Sequence, residues 1–197
     1  MFILINKKIK GDKIMKKVII GIVAVIAIAI VIVSIVMFSK NEEETNKGGV
    51  QIQTAEKMQE VLNNINTKLA DKLPGLEIRE VDITDEYAFT STTGLKTNNN
   101  VEAVVVSEPF ISSQAFSAVM VKVSKNANIE EMKQEMLNNI DTRKWICVSA
   151  QKVWVTNYGD IIFLVMSDEE WGQPVYDEFK QAVGGKVGKE LERTEEM

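Results

Sequence analysis

The chain has 197 residues, no histidine, a single cysteine (Cys147) and a formal charge of −5. Without histidine there is no imidazole for general-base catalysis, zinc ligation or a Ser-His or Cys-His pair, and one cysteine supports neither an internal disulfide nor a Cys-rich zinc site. Charge is divided sharply, with seven lysines and one acid in residues 1–40 against 16 basic and 27 acidic residues in the remainder; an acidic body of this kind has no footprint for nucleic acid.

The basic block at the front reads as a topology signal. Lys7, Lys8, Lys10, Lys13, Lys16 and Lys17 precede the uncharged run "VIIGIVAVIAIAIVIVSIVMF", Val18 to Phe38. About 21 residues at about 1.5 Å each reach roughly 31 Å, the thickness of a bilayer's hydrocarbon core. The run ends in the bulky Ile35, Val36, Met37 and Phe38, and "SIVMFSKNEEE" holds neither a small-residue cleavage site nor a lipid-accepting cysteine. A signal anchor that is not cleaved is expected over 18–38, with residues 1–17 in the cytoplasm and the body outside. "MKKVIIG" from Met15 also has the form of a translation start, so residues 1–14 are given no function.

Residues 39–53 are polar and contain a glycine pair, and so read as a linker. A single domain is expected over 54–183, followed by a flexible tail at 184–197. Its first helix is capped by Thr54 and carries an apolar stripe of Met58, Val61, Leu62, Ile65, Leu69 and Leu73 before Pro74 and Gly75. Leu76–Ile83 alternates like a strand, and Asp85–Thr93 suits a short helix ended by Gly94. Two strands follow, Val101–Ser107 and Ala115–Val123, in the second of which Val119, Val121 and Val123 face away from Ala118, Met120 and Lys122. Asn128 caps a helix with Ile129, Met132, Met136, Leu137 and Ile140 inward. "KVWVTNYGDIIFLVMS" predicts a hairpin of Lys152–Thr156 and Ile161–Met166 turning at Asn157–Asp160, its second strand central and covered on both faces. Pro174 is placed in the first turn of a last helix lined by Val175, Phe179 and Val183. The fold class expected is α+β, in the order α-β-β-α-β-β-α, as a two-layer sandwich of a mainly antiparallel sheet with helices mainly on one face. A ferredoxin-like arrangement is the alternative.

Chemistry-bearing motifs are sparse. Ser149-Ala150-Gln151-Lys152 has the S-x-x-K spacing that works across a helical turn, but it falls at a strand start, where positions i and i+3 point apart. Asp82, Asp85 and Glu86 lack the ligand rhythm of a calcium loop, and Asp168, Glu169 and Glu170 precede the last helix without a recognisable sugar cleft. Cys147, in "WICVSA", reads as a small buried hydrophobe. Trp171, with Pro174, is a candidate partner contact, because tryptophan is enriched among residues that dominate binding energy; the competing reading is that it packs on the first turn of the closing helix.

The blocks "AFSAVMVKVSKNANIEEMKQEM" and "VTNYGDIIFLVMSDEEW…VYDEFKQAV" resemble the bacterial family called domain of unknown function 4358. The resemblance covers residues 54–183, with the hairpin glycine at Gly159, the aliphatic strand at Ile161–Met166 and the Ser-Asp pair at Ser167–Asp168. It implies an exported, membrane-attached domain and no assigned activity, although the lipoprotein cysteine of many members is missing here. These readings together predict a non-enzymatic interaction or accessory module at the cell envelope, held in the lipid bilayer through residues 18–38, with no cofactor, metal or nucleic acid. The alternative is a small envelope enzyme using carboxylates or the Ser149/Lys152 pair.

Overall fold

The structure, a computed structural model, describes residues 51–195. The expected anchor at 18–38, its basic flank and the linker up to residue 50 lie outside the described residues. Among the described residues no helix is long and apolar enough to cross a membrane.

The element order is α1 (Ala55–Lys68), β1 (Leu76–Glu80), α2 (Glu86–Thr93), β2 (Val101–Pro109), β3 (Phe116–Val123), α3 (Ile129–Asn139), β4 (Lys152–Tyr158), β5 (Ile161–Ser167), α4 (Glu169–Ala182) and β6 (Leu191–Thr194). The six strands form one sheet in the order β1-β2-β3-β5-β4-β6, and every neighbouring pair is antiparallel. The fold is therefore α+β, built on two hairpins, β2–β3 and β4–β5, joined through their inner strands. β3 and β4 run in the same direction, joined through α3 with β5 between them, a split βαβ unit like that of a ferredoxin-like sheet. The arrangement departs from that alternative because α3 and α4 cover opposite faces and the last strand, β6, pairs with β4.

Local signals explain most boundaries. Thr54 accepts from the Lys57 amide at 3.3 Å and opens α1, Asp85 accepts from the Ala88 amide at 3.0 Å and opens α2, and Asn128 accepts from the Glu131 amide at 3.3 Å and opens α3. Each relieves one of the orphan donors of a first turn. Gly94 closes α2 at φ 74°, and Gly159 takes φ 55° in the two-residue turn between β4 and β5, a conformation that costs glycine little. The first helix ends sooner than its stripe suggested. Leu69 is its C-cap, and Pro74 and Gly75 lie in the connection that leads to β1.

The helices cover both faces of the sheet, which corrects the expected two-layer arrangement. On one face Met58, Leu62 and Ile65 of α1 and Val175 and Phe179 of α4 pack over Phe116, Met120, Phe163 and Val165. On the other, Phe89 of α2 and Met136 and Leu137 of α3 pack over Val104, Val106, Val121, Ile162 and Leu164. The reason lies in β3 and β5, where every residue is buried. A strand apolar at successive positions presents two hydrophobic faces, and each needs its own cover.

Two further expectations are corrected. Residues 184–195 are not a loose tail, since β6 pairs with β4 from Leu191↔Val155 to Thr194↔Lys152. Arg193 ties it inward by donating to the carbonyl of Ile140 at 3.0 Å and to that of Leu137. The last helix also begins at Glu169, ahead of the expected start near Pro174. Asp168 caps it, its carboxylate accepting from the Trp171 amide at 2.9 Å, so Trp171-Gly172-Gln173-Pro174 is helix. Pro174 leaves the Glu170 carbonyl without its i+4 donor. Glu170 is exposed, and water can serve that carbonyl.

Candidate functional site

Among the described residues, the large apolar side chains left in solvent are Tyr87, Phe110, Ile111 and Ile146, 84%, 70%, 60% and 64% exposed. They are scattered in sequence and gathered in space. Tyr87 and Phe110 line a cleft of about 310 Å³ together with Arg79, Ser91, Thr92, Glu108, Pro109, Ser112, Lys144 and Trp145. Ile111 follows Phe110, and the Ile146 amide donates to the carbonyl of Ser112 at 2.9 Å, which brings the tips of the β2–β3 and α3–β4 loops side by side.

The floor of the cleft is a charged network on the α2/α3 side of the sheet. Glu108 lies at the end of β2, two residues beyond the buried Val106 on the same face. One of its oxygens accepts from Lys144 at 2.6 Å and from the Ser117 hydroxyl at 3.1 Å; the other accepts from Arg79 at 2.8 Å. Burial alone would push the Glu108 carboxyl up, but Lys144, with Arg79 and Ser117 behind it, holds it below the usual carboxylate range. The Lys144 ammonium also sits over the Trp145 ring, 5.4 Å from its centroid. Three segments far apart in sequence, β1, β2 and the α3–β4 loop, each contribute one charge.

This arrangement has a pH signature. A depressed folded pKa means stability that is fully present above the unfolded value, about 4.3, and lost as pH falls through the folded value. Glu108→Gln should lower the unfolding free energy by about 1–3 kcal/mol at pH 7. In urea melts the gap to the parent protein should shrink at pH 3. An equal gap at both pH values would mean that the carboxylate's charge contributes nothing.

The residues singled out from sequence fall elsewhere. Trp171 is half-buried and packs against the core on the α1/α4 face, across the sheet from the cleft, and Pro174 is a half-buried helical residue beside it. Ser149 is exposed in the loop before β4, while Lys152 is the first residue of β4, 3.2 Å from Glu192 and stacked over Trp154. No helical turn joins the pair as the S-x-x-K chemistry needs. Asp82 is occupied by the amide and hydroxyl of Thr84 at 2.9 and 2.7 Å, which hold its carboxyl low, the side-chain bond first; Asp85 and Asp168 are helix caps.

Cys147 is exposed, contrary to the buried hydrophobe expected. It adopts φ 60°, which turns the loop so that Ile146 and Cys147 face out while Thr142 and Ala150 close underneath, the Ala150 amide donating to the Thr142 carbonyl at 2.8 Å. A thiol reagent should therefore label the native protein nearly as fast as the unfolded chain. Cys147→Ser should change stability by less than about 0.5 kcal/mol. Labelling slowed tenfold or more by folding would show that the side chain is covered after all.

Sequence reasoning missed the cleft because its aromatic members have no periodic relation. One signal was legible: "EPFISSQ" places two bulky apolar residues in a polar hairpin loop, where packing gives them no role. The chain matches no family model, no curated protein and no solved structure.

Proposed function

We propose that the described domain is a binding module, held outside the cytoplasmic membrane by the anchor at 18–38, and that its contact surface is the cleft between Arg79, Tyr87, Phe110 and Trp145. The carrying observation is that exposed Tyr87 and Phe110 line one charged cleft, with exposed Ile111 and Ile146 on the two loops at its rim. Single exposed apolar residues are ordinary, whereas a contiguous patch costs solubility and marks an interaction site. No catalytic role is assigned to Glu108, whose carboxylate is engaged on both oxygens and held ionised by two cations.

The course of α1 supports the same reading. Its last turn lies beside the cleft end of the sheet, where Asn66 donates to the Ser107 hydroxyl at 2.8 Å. Thr54 begins the helix about 18 Å away along its axis. Thr54 thus lies a helix length from the cleft, and the first turn of α1 does not obstruct it.

The test is crosslinking in native membranes with the full chain and with Phe110→Ser and Ile146→Ser, both changes on exposed side chains that should leave folding intact. Capture of a defined partner by the parent, lost in both variants and retained in Trp171→Ala, is the expected result. Capture that survives both serine changes would remove the cleft from the reading. Release of the body into the medium without residues 18–38 would remove the anchor.

A further inference from the structure

We infer that the cleft takes a carboxylate joined to an apolar group, such as the C-terminal residue of a peptide or a free hydrophobic acid; this deepens the binding-module reading and rests on it. The argument is a count of donors and acceptors. Glu108 is the carboxylate of the cleft, and both of its oxygens are engaged, by Lys144 and Ser117 on one side and Arg79 on the other. The cations are not used up. Arg79 spends one of its nitrogens on Glu108, and its side chain is 44% exposed. A guanidinium offers five N–H donors and an ammonium three.

Two cations against one carboxylate leave a net positive charge in a body that is otherwise acidic. What the charged floor can still accommodate is therefore an acceptor, and an anion best of all. The walls supply the second half of the specificity. Tyr87, Phe110 and Trp145 present apolar ring surface around the donors, and a space of about 310 Å³ is at the small end of ligand sites, matching one amino-acid-sized group. Beside it runs β1, which carries Arg79 and has a strand neighbour on one side alone among the described residues. An extended peptide ending in the cleft could add itself along that edge.

The experiment uses the full chain in nanodiscs, with the Trp145 indole resonance as reporter, assigned through Trp145→Phe. The probes are N-acetyl-phenylalanine and its amide, then a pentapeptide of alternating threonine and valine closed by phenylalanine, as free acid and as amide. The acids should bind at least tenfold more tightly than the amides, with affinity falling as salt rises, and Phe110→Ser should weaken the acids at least tenfold with an unchanged unfolding midpoint. Arg79→Gln should abolish the preference for acid over amide. A peptide acid at least tenfold tighter than N-acetyl-phenylalanine identifies a chain end paired along β1 as the source; equal affinities identify a free small acid.

Equal binding of acid and amide, no response of Trp145 to any probe, or a response indifferent to Phe110→Ser would overturn the inference. Those results leave the broader reading standing if crosslinked capture still depends on Phe110. Conversely, acid-selective binding without any capturable partner would retain the ligand class and remove the partner protein.

Discussion

Lys133→Ala is expected to lower the unfolding free energy by about 3–5 kcal/mol. Lys133 is fully buried, yet it lies on the helix face that also carries Met136 and Leu137. Its ammonium donates to the Asn157 side-chain oxygen at 2.9 Å and to the Lys189 carbonyl at 2.8 Å, and pairs with Glu130 at 2.6 Å. All three protons thus have an acceptor, the condition under which a buried charge is tolerable. The lysine joins α3 to the end of β4 and to the segment that leads into β6. Alanine would leave a cavity and two acceptors without their donor. Lys133→Met restores most of the volume and none of the hydrogen bonds, so it should recover part of the loss. Hydrogen exchange should quicken first at Leu191–Thr194. Should Lys133→Ala unfold at the parent's midpoint, the ammonium would have to reach water in the folded protein.

The second large effect is expected at Gly172, in the second turn of α4. A methyl group there would lie 2.3 Å from Cζ3 and 2.7 Å from Cη2 of Trp154, closer than real carbon contacts allow. Trp154 is 3% exposed and stacks on Tyr176, with centroids 6.4 Å apart, so its ring has little room to yield. Overpacking of this kind costs about 1–3 kcal/mol, sometimes more, against a gain of about 1 kcal/mol for replacing a helical glycine with alanine. Gly172→Ala should therefore destabilise by about 2 kcal/mol. In a Trp154→Phe background the two clashing carbons are gone, and the same alanine should be neutral or stabilising. A penalty independent of the residue at 154 would show that the helix, and not the indole, sets the limit.

Several features were readable from local sequence because their causes are local. Thr54, Asp85 and Asn128 sit one residue before helices and satisfy first-turn amides with their own side chains. Gly94 and Gly159 take conformations that few other residues adopt cheaply. The uninterrupted apolar run Ile161–Met166 required a central strand whatever its neighbours were, and β5 lies between β3 and β4.

Asp168 shows where the local rules compete. Proline's preference for a first turn placed the helix start near Pro174, but the carboxylate at 168 caps an earlier one, and that start also depends on the fit of Gly172 against Trp154 on β4. The tertiary structure alone decided the rest, since burial depends on what arrives opposite a residue and not on its neighbours in the chain. A lysine between Met132 and Gln134 looks like a solvated residue until Asn157 and the Lys189 carbonyl are brought to it. Glu108 becomes a clamped carboxylate only when Arg79 and Lys144, 29 residues before and 36 after it in sequence, close on it from two other segments. Cys147 has apolar neighbours and is nevertheless exposed, because a positive φ turns the loop outward. The pairing of β6 with β4 is the clearest case. Its four residues, Leu191 to Thr194, alternate too briefly to predict a strand, and they become one because an open sheet edge and the carbonyls of Leu137 and Ile140, at the C-terminal end of α3, are there to receive them.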